Sequence, residues 1–274
     1  MKQQVQKEIQ DLTWLSWSKI RNSSGTAGSF LKAESRLNGL KTYYKLSNYD
    51  SVNGVVGHEC INEIIADRLL TILGVDHLSY QLIHAHIIVQ DDPCTTWLCA
   101  SDDFKQPGEN KLALDAYFQA ERFPGEKPLD FCIRNGWGDY IWQMLVVDFL
   151  ILNRDRHGAN IEVLRNSRKK TFRLAPLFDH GLSLVFNCLD EKELARVNVL
   201  EDKPVQCFVG SRSTWKNLEL IPPAQFPKLQ ALKETDREIL FSDLEMALPQ
   251  AWQDKIWEMI WQRWCALEDF RNQR

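Results

Sequence analysis

The sequence predicts an α+β fold in two lobes, a mixed α/β N-lobe with an antiparallel sheet followed by a mainly helical C-lobe, and three observations carry that expectation. Its 274 residues exceed what one minimal core needs. Short runs of strand formers are concentrated in the first part of the chain, whereas apolar residues at helical spacing dominate the second. Between them, near residues 100–105, the composition shifts to a polar stretch that carries Pro107, Gly108, Pro124, Gly125 and Pro128. The boundary is therefore drawn at residues 1–103 and 104–274.

Taken in order, residues 1–20 are polar and helix-prone, which predicts a short helix pinned by Trp14 and Trp17. A small-residue stretch at 22–29 precedes two strand-forming runs, 30–33 and 42–46. From His58 the period becomes helical, with Ile61, Ile64, Ile65, Leu69, Ile72 and Leu73 on one stripe and Gly74 where a C-cap belongs. Strand chemistry returns at 78–89 and 95–100. An apolar helix follows at 139–152, then a non-helical region at 172–185. A final helix at 251–270 carries Trp252, Ile256, Trp257, Ile260, Trp261, Trp264 and Leu267 along one stripe, which reads as core.

Composition excludes several classes. With 44% hydrophobic and 26% charged residues the chain can build a core. A formal charge of -4 gives no global reason to coat nucleic acid or an anionic membrane. The longest apolar stretch, 144–152, is broken by Asp148 and falls far short of the roughly 20 residues that span a bilayer. The N-terminus lacks the apolar core of a secretory signal, and the seven cysteines contain no C-x-x-C pair, so a cytoplasmic location with reduced thiols is expected and a structural zinc site is not. His84 and His86 alternate along one strand, yet two imidazoles lack the further ligands zinc demands.

The chemistry is concentrated in residues 153–160, Asn-Arg-Asp-Arg-His-Gly-Ala-Asn, and 174–181, Leu-Ala-Pro-Leu-Phe-Asp-His-Gly. Phosphoryl transfer from ATP needs a carboxylate near the acceptor hydroxyl, an amide oxygen and a second carboxylate for Mg²⁺, and a cation on the phosphates. Asp155 and Asn160 have the Asp-x4-Asn spacing of such a loop, and Asp179-His180-Gly181 has the form of a metal-binding turn. Either element alone is a common turn; in order and flanked by apolar strands they point to one site. Asp148, if buried, must be hydrogen-bonded or ion-paired, and is expected to anchor the loop.

These motifs resemble those of the HipA-like bacterial serine/threonine kinases, whose catalytic loop reads Asn-x-Asp-x-His-x-x-Asn and whose metal turn reads Ala-Pro-x-Phe/Tyr-Asp, here Asn153 to Asn160 and Ala175 to Asp179. The resemblance extends back through Tyr44-Lys45-Leu46 and Asn62-Glu63, covers roughly residues 20–185, and is nearest to the short members without the extra N-terminal subdomain. It implies a two-lobed protein-kinase-like fold, ATP and Mg²⁺ as cofactors, and the following roles. Asp155 is the catalytic carboxylate, His157 a loop-stabilising member, and Asn160 and Asp179 are the metal ligands. Lys45 is the nucleotide lysine, held by Glu63, with Glu59 one helical turn earlier as the alternative; a lysine merely facing solvent is the other reading of Lys45. Residues 23–29, with Gly25 and Gly28, become a phosphate-covering loop in which Ser24 is the matching autophosphorylation position, or else an ordinary turn. Residues 98–102, including Cys99 and Asp102, are assigned to the adenine hinge by position. The partners implied are a protein with a Ser/Thr acceptor, for which an aminoacyl-tRNA synthetase is the family precedent, and a small helix-turn-helix antitoxin, with no direct nucleic-acid contact by this chain. The alternatives are a phosphoinositide or small-molecule kinase, because Asp155-Arg156-His157-x-x-Asn160 also resembles that loop, and a nucleotide-binding pseudokinase. Five acidic residues against Lys192 and Arg196 in 187–202 disfavour a phosphoinositide substrate.

Overall fold

Period-two apolar residues in the first hundred positions require a sheet with two covered faces, and one forms. The structure, a computed structural model, describes residues 4–18, 30–37, 39–50 and 52–274. In the first part lie β1 (Val5–Asp11), β2 (Lys32–Leu37), β3 (Leu40–Leu46), the small hairpin β4 (Tyr49–Asp50) and β5 (Gly54–Val55), α1 (Glu59–Leu73), β6 (Gln81–Val89) and β7 (Asp92–Asp102). Five of these strands form a sheet in the order β1-β6-β7-β3-β2. Its neighbours are antiparallel except β1, which runs parallel to β6.

The alternation decides which face each residue covers. Ile83, Ala85, Ile87 and Val89 of β6 join Leu98 and Ala100 of β7 and Leu46 of β3 in one apolar cluster, against which Leu12 and Trp17 pack. On the other face Leu82 and Cys99 meet α1 in the main core. This helix is buried nearly all round, which is what its apolar content demands of a helix between two layers. Each fully buried Ile or Leu contributes roughly 1.5–3 kcal/mol relative to exposure. Gly74 ends the helix in the left-handed region at φ 73°, its N–H closing on Thr71 and Leu70 carbonyls, as the sequence predicts.

The expected N-terminal helix is instead β1. Gln, Lys and Glu favour a helix only weakly, and tertiary pairing overrides them. Val5 is buried, Leu82 N–H donates to the Gln4 carbonyl, and Leu12 N–H donates to the His86 carbonyl. β1 thereby covers the edge of β6, and Lys7 Nζ reaches Asp243 and Glu245 at 2.7 and 2.6 Å. His84 stacks on Trp97 at 4.6 Å and His86 bonds to Thr95, so both imidazoles belong to the sheet surface.

After residue 104 come β8 (Glu109–Ala113), α2 (Leu114–Glu121), α3 (Pro128–Arg134), α4 (Gly138–Leu150), β9 (Asp155–Arg156), β10 (Glu162–Asn166), β11 (Thr171–Leu174), α5 (Glu191–Ala195), β12 (Gln206–Cys207), α6 (Thr214–Glu219), α7 (Asp236–Phe241) and α8 (Gln250–Asn272). β8, β10 and β11 form an antiparallel three-stranded sheet, with β10 central. The strand β8 has no counterpart in the sequence reading, because its partner lies some fifty residues downstream and pairing at that distance leaves no local trace. Of the α8 stripe, Trp252, Ile256, Ile260, Trp264 and Leu267 are buried, while Trp257 and Trp261 are half-buried and stack on each other with centroids 5.5 Å apart. Arg263 on the same helix is fully buried and gives its guanidinium to the carbonyls of Phe149, Val199 and Glu201 at 2.7–2.9 Å, which satisfies backbone at the end of α4. No helix among the described residues is long and apolar enough to cross a membrane.

His58, the residue before α1, is 9% exposed, and burial pushes its imidazole down to about 4 from 6.5. The unfolded chain therefore takes up this proton near pH 6.5 while the folded chain resists it to about pH 4, so stability falls as pH drops through that window. Thermal melts between pH 7 and 4 are expected to lose about 3 kcal/mol from this group. His58→Gln should flatten that part of the profile, and an unchanged slope in the variant would contradict the assignment.

Candidate active site

Four segments distant in sequence meet at a cleft of about 780 Å³ beside the five-stranded sheet. Lys45 stands near the end of β3 and α1 runs behind it. The helix register aims Glu63 at Lys45: Nζ lies 2.8 Å from Glu63 Oε1 and 2.5 Å from Asp179 Oδ1. Burial alone would lower the Lys45 ammonium, but the Asp179 and Glu63 carboxylates outweigh it and hold it well above the ordinary lysine range. Glu63 is fully buried, and its second oxygen accepts the His180 N–H at 2.8 Å. One carboxylate thus ties a sheet lysine to the backbone of the turn carrying Asp179. Glu59, the alternative partner, instead accepts the Asn48 N–H at 3.0 Å, and burial raises its carboxyl.

The turn itself is strained and close-packed. Asp179 has φ 61°, in the left-handed region, and its N–H donates to the Tyr80 hydroxyl at 3.4 Å. Gly181 packs so near α1 that a Cβ there would sit 3.2 Å from Glu59 Cβ and 3.4 Å from Glu63 Oε1. Asn62 reaches across with its amide N–H groups to the carbonyls of Gly181 and Ser183 at 3.0 and 3.1 Å. Leu152 and Leu184 also have positive φ, at 50° and 57°, and Leu184 N–H bonds the Ile151 carbonyl at 2.7 Å. Non-glycine residues in this region persist only where surrounding contacts over-determine them.

The loop bearing Asp155 follows α4 directly. Asp148 is 6% exposed and accepts from Asn153 Nδ2 at 2.9 Å and from Arg156 Nε and Nη2 at 2.9–3.2 Å. Arg156, 1% exposed, also donates to the carbonyls of Asn160 and Phe178, so a single guanidinium joins the end of α4, the loop and the turn. Asn153 accepts the Asp155 N–H at 3.1 Å, and Asn160 Nδ2 donates to the Asp155 carbonyl and carboxylate at 2.8 and 3.3 Å. His157 has Nδ1 accepting the Ala159 N–H and Nε2 3.5 Å from Asp155 Oδ1. At Gly158 a Cβ would meet Asp115 Cβ at 2.6 Å, so the loop can approach α2 only without a side chain there.

The cleft is lined by Lys45, Tyr80, Cys99, Asn160 and Asp179, with Phe104 and Phe178 among the residues at its wall. Cys99 is buried, opposite Lys45 in the β3–β7 ladder, and its thiol is held well above the usual range by the Cys60 sulfhydryl and by burial. Asp102 ends β7, accepts from Thr42 Oγ1 at 3.0 Å and does not line the cleft. Ser24, Gly25 and Gly28 lie outside the described residues. The sequence reading did not find Tyr80 or the bridging role of Arg156. Arg156 had one available signal: a carboxylate at 148 inside an apolar helix requires a nearby cation. None of the cysteines is in a disulfide, and among the described residues no group of three or more His, Cys, Asp or Glu side chains could hold a metal.

No family model matches the chain. Its fold is that of the crystal structure of a Helicobacter pylori proinflammatory kinase, CtkA, with a TM-score of 0.63 at 16% identity over 93% of this chain and 94% of that one. A stretch of 45 residues is 44% identical to the serine/threonine-protein kinase CtkA of Helicobacter pylori, spanning 16% of this chain and only 14% of that protein. A complex of HipA, HipB and operator DNA from a Shewanella oneidensis MR-1 toxin–antitoxin system matches with a TM-score of 0.45 at 16% identity, over 89% of this chain and 58% of the other. The chain resembles the HipA-like kinases in its motifs and CtkA in its mixed α/β fold.

The Asp148–Arg156 pair offers a direct test of how the loop is held. Removing one partner leaves the other charge buried, at a typical cost of about 3–5 kcal/mol. Asp148→Ala and Arg156→Met should each fall in that range by urea denaturation, and the double variant should lose less than the sum. Additive losses would mean the two side chains act independently.

Proposed function

We propose that the chain is a HipA-like serine/threonine protein kinase dependent on ATP and Mg²⁺, with lobes at residues 1–103 and 104–274 meeting at the nucleotide cleft. The observation that carries this reading is the convergence of Lys45, Glu63 and Asp179 in one ion cluster, with Asn160 lining the same cleft and bonded to Asp155. Lys45 holds the α- and β-phosphates, and Glu63 fixes Lys45.

The donor set suits Mg²⁺. Asn160 spends its NH₂ on Asp155, which leaves Oδ1 as that amide's donor to a cation, and Asp179 offers a carboxylate already facing a positive charge in Lys45. One amide and one carboxylate, both oxygen donors, match a cation that completes its shell with phosphate and water. When bound, Mg²⁺ neutralises charge on the phosphates. Asp155 accepts the proton of the acceptor hydroxyl as its oxygen bonds the γ-phosphorus and the bond to ADP breaks. General-base assistance of this kind supplies about 10²–10⁴-fold in rate.

Ser24, Gly25 and Gly28 are assigned to the phosphate-covering loop, with Ser24 as the autophosphorylation site; two added charges there would repel the ATP phosphates and silence the enzyme. Cys99, which lines the cleft, is assigned to the adenine side. A Ser/Thr-bearing protein is the substrate class, and a helix-turn-helix antitoxin encoded beside this chain is the partner the family resemblance implies.

Intact mass after incubation with ATP and Mg²⁺ tests the reading. One added phosphate is expected on the wild type and none on Asp155→Ala or Asp179→Ala, with nucleotide binding retained by Asp155→Ala and weakened at least about tenfold by Lys45→Met. A wild type that binds no nucleotide overturns it.

A further inference from the structure

A second cavity, of about 770 Å³, adjoins the Asp155 loop and shares no lining residue with the nucleotide cleft. One wall is the loop itself, through Arg154, His157 and Gly158; the other is the segment 204–212, through Gln206, Phe208 and Arg212. Backbone bonds staple the two walls together. Gln206 N–H donates to the Arg154 carbonyl at 3.0 Å and Phe208 N–H to the Arg156 carbonyl at 2.9 Å, in the parallel pairing of β12 with β9. Arg154 Nε donates to the Pro204 carbonyl at 2.6 Å, and Val205 N–H closes the segment on the Arg212 carbonyl at 3.0 Å. The groove is therefore built into the fold, and its wall includes His157, whose Nε2 stands 3.5 Å from Asp155 Oδ1.

Its charge is one-sided. Arg154 and Arg212 both line it, and among the described residues neither guanidinium forms an ion pair. No carboxylate lines it; of the acidic residues nearby, Glu201 acts on Arg154 only through space, Asp202 accepts from Ser213 and from the Thr214 N–H and hydroxyl, and the Asp155 carboxylate stands 3.5 Å from His157 Nε2. Arg154 is oriented by its Nε bond, which leaves its outer N–H groups as donors, and Arg212 is exposed. Two guanidinium groups in a concave site match the planar, bidentate geometry of a carboxylate.

We infer that this groove seats the acceptor segment of a protein substrate, and that Arg154 and Arg212 select a Ser or Thr flanked by a carboxylate side chain. The assignment of the acceptor hydroxyl rests on the kinase reading; the charge selection rests on the groove alone, so the two can fail separately. A segment lying between the arginines and His157 brings its hydroxyl to Asp155, whose carboxylate His157 contacts at 3.5 Å. Charge complementarity of this type sets which partner docks and how it is oriented.

The experiment measures binding and phosphorylation by the full chain of fluorescein-labelled serine peptides that differ only in carrying Glu, Lys or phosphoserine beside the acceptor. Anisotropy without nucleotide should give the Glu peptide at least about tenfold tighter binding than the Lys peptide. Arg212→Glu should abolish or reverse that preference while nucleotide affinity and thermal stability stay at wild-type values; Arg154→Gln provides a second variant should the first unfold. Equal binding of the Glu and Lys peptides, a preference unchanged in both variants, or binding of the phosphoserine peptide alone overturns the proposal. A Glu preference that reverses in a chain that binds no ATP would support the groove and sink the kinase reading.

Discussion

The buried carboxylate of Glu63 is the constraint on which the rest of this structure depends. It is fully enclosed, so both of its oxygens must be satisfied within the protein, and they are satisfied by two different layers. Lys45 comes from the sheet and the His180 N–H from the turn that bears Asp179. The register of α1, the end of β3 and the path of residues 178–181 must therefore agree to within hydrogen-bond distance. An ion pair this buried contributes little net stability once desolvation is counted. Its value is positional: it holds an ammonium and a carboxylate from opposite sides of the cleft at one point.

The Asp155 loop is positioned by the same logic with different residues. Asp148 cannot be buried alone, and Arg156 answers it while also bonding two carbonyls from the loop and the turn. Apolar helices supply the rigid base beneath. The left-handed backbone at Leu152, Asp179 and Leu184 is the conformational cost of bringing chain segments from α4 and the turn alongside each other. Of the seven described non-glycine residues with positive φ, three fall in these segments, beside the buried Asp148–Arg156 pair; the others, Gln90, Asp91, Lys170 and Asp243, lie outside the site.

The close match in fold to CtkA, at low sequence identity, fits this division. Apolar layers tolerate exchange of one hydrophobic residue for another when volume and pattern are kept, so a fold can persist while most side chains change. A carboxylate that must meet an ammonium has no such freedom. The motifs at 153–160 and 174–181 are readable because each places its polar residues at a fixed spacing in a short string.

The sequence by itself determined the α1 helix and its glycine cap, the strands of β6 and β7, the apolar stripe of α8 and the two polar strings of the site. Each is written in local period or spacing, and local patterns survive in one dimension. It also carried the demand that Asp148 find a partner, though not which one. Tertiary structure alone decided that residues 5–11 become a strand, because the free edge of β6 outweighs a weak helical preference. It alone placed β8 beside β10, put Asp102 outside the cleft, and set Arg154 and Arg212 along one groove. All of these depend on contacts between residues far apart in the chain, and composition and periodicity do not encode which distant pair will meet.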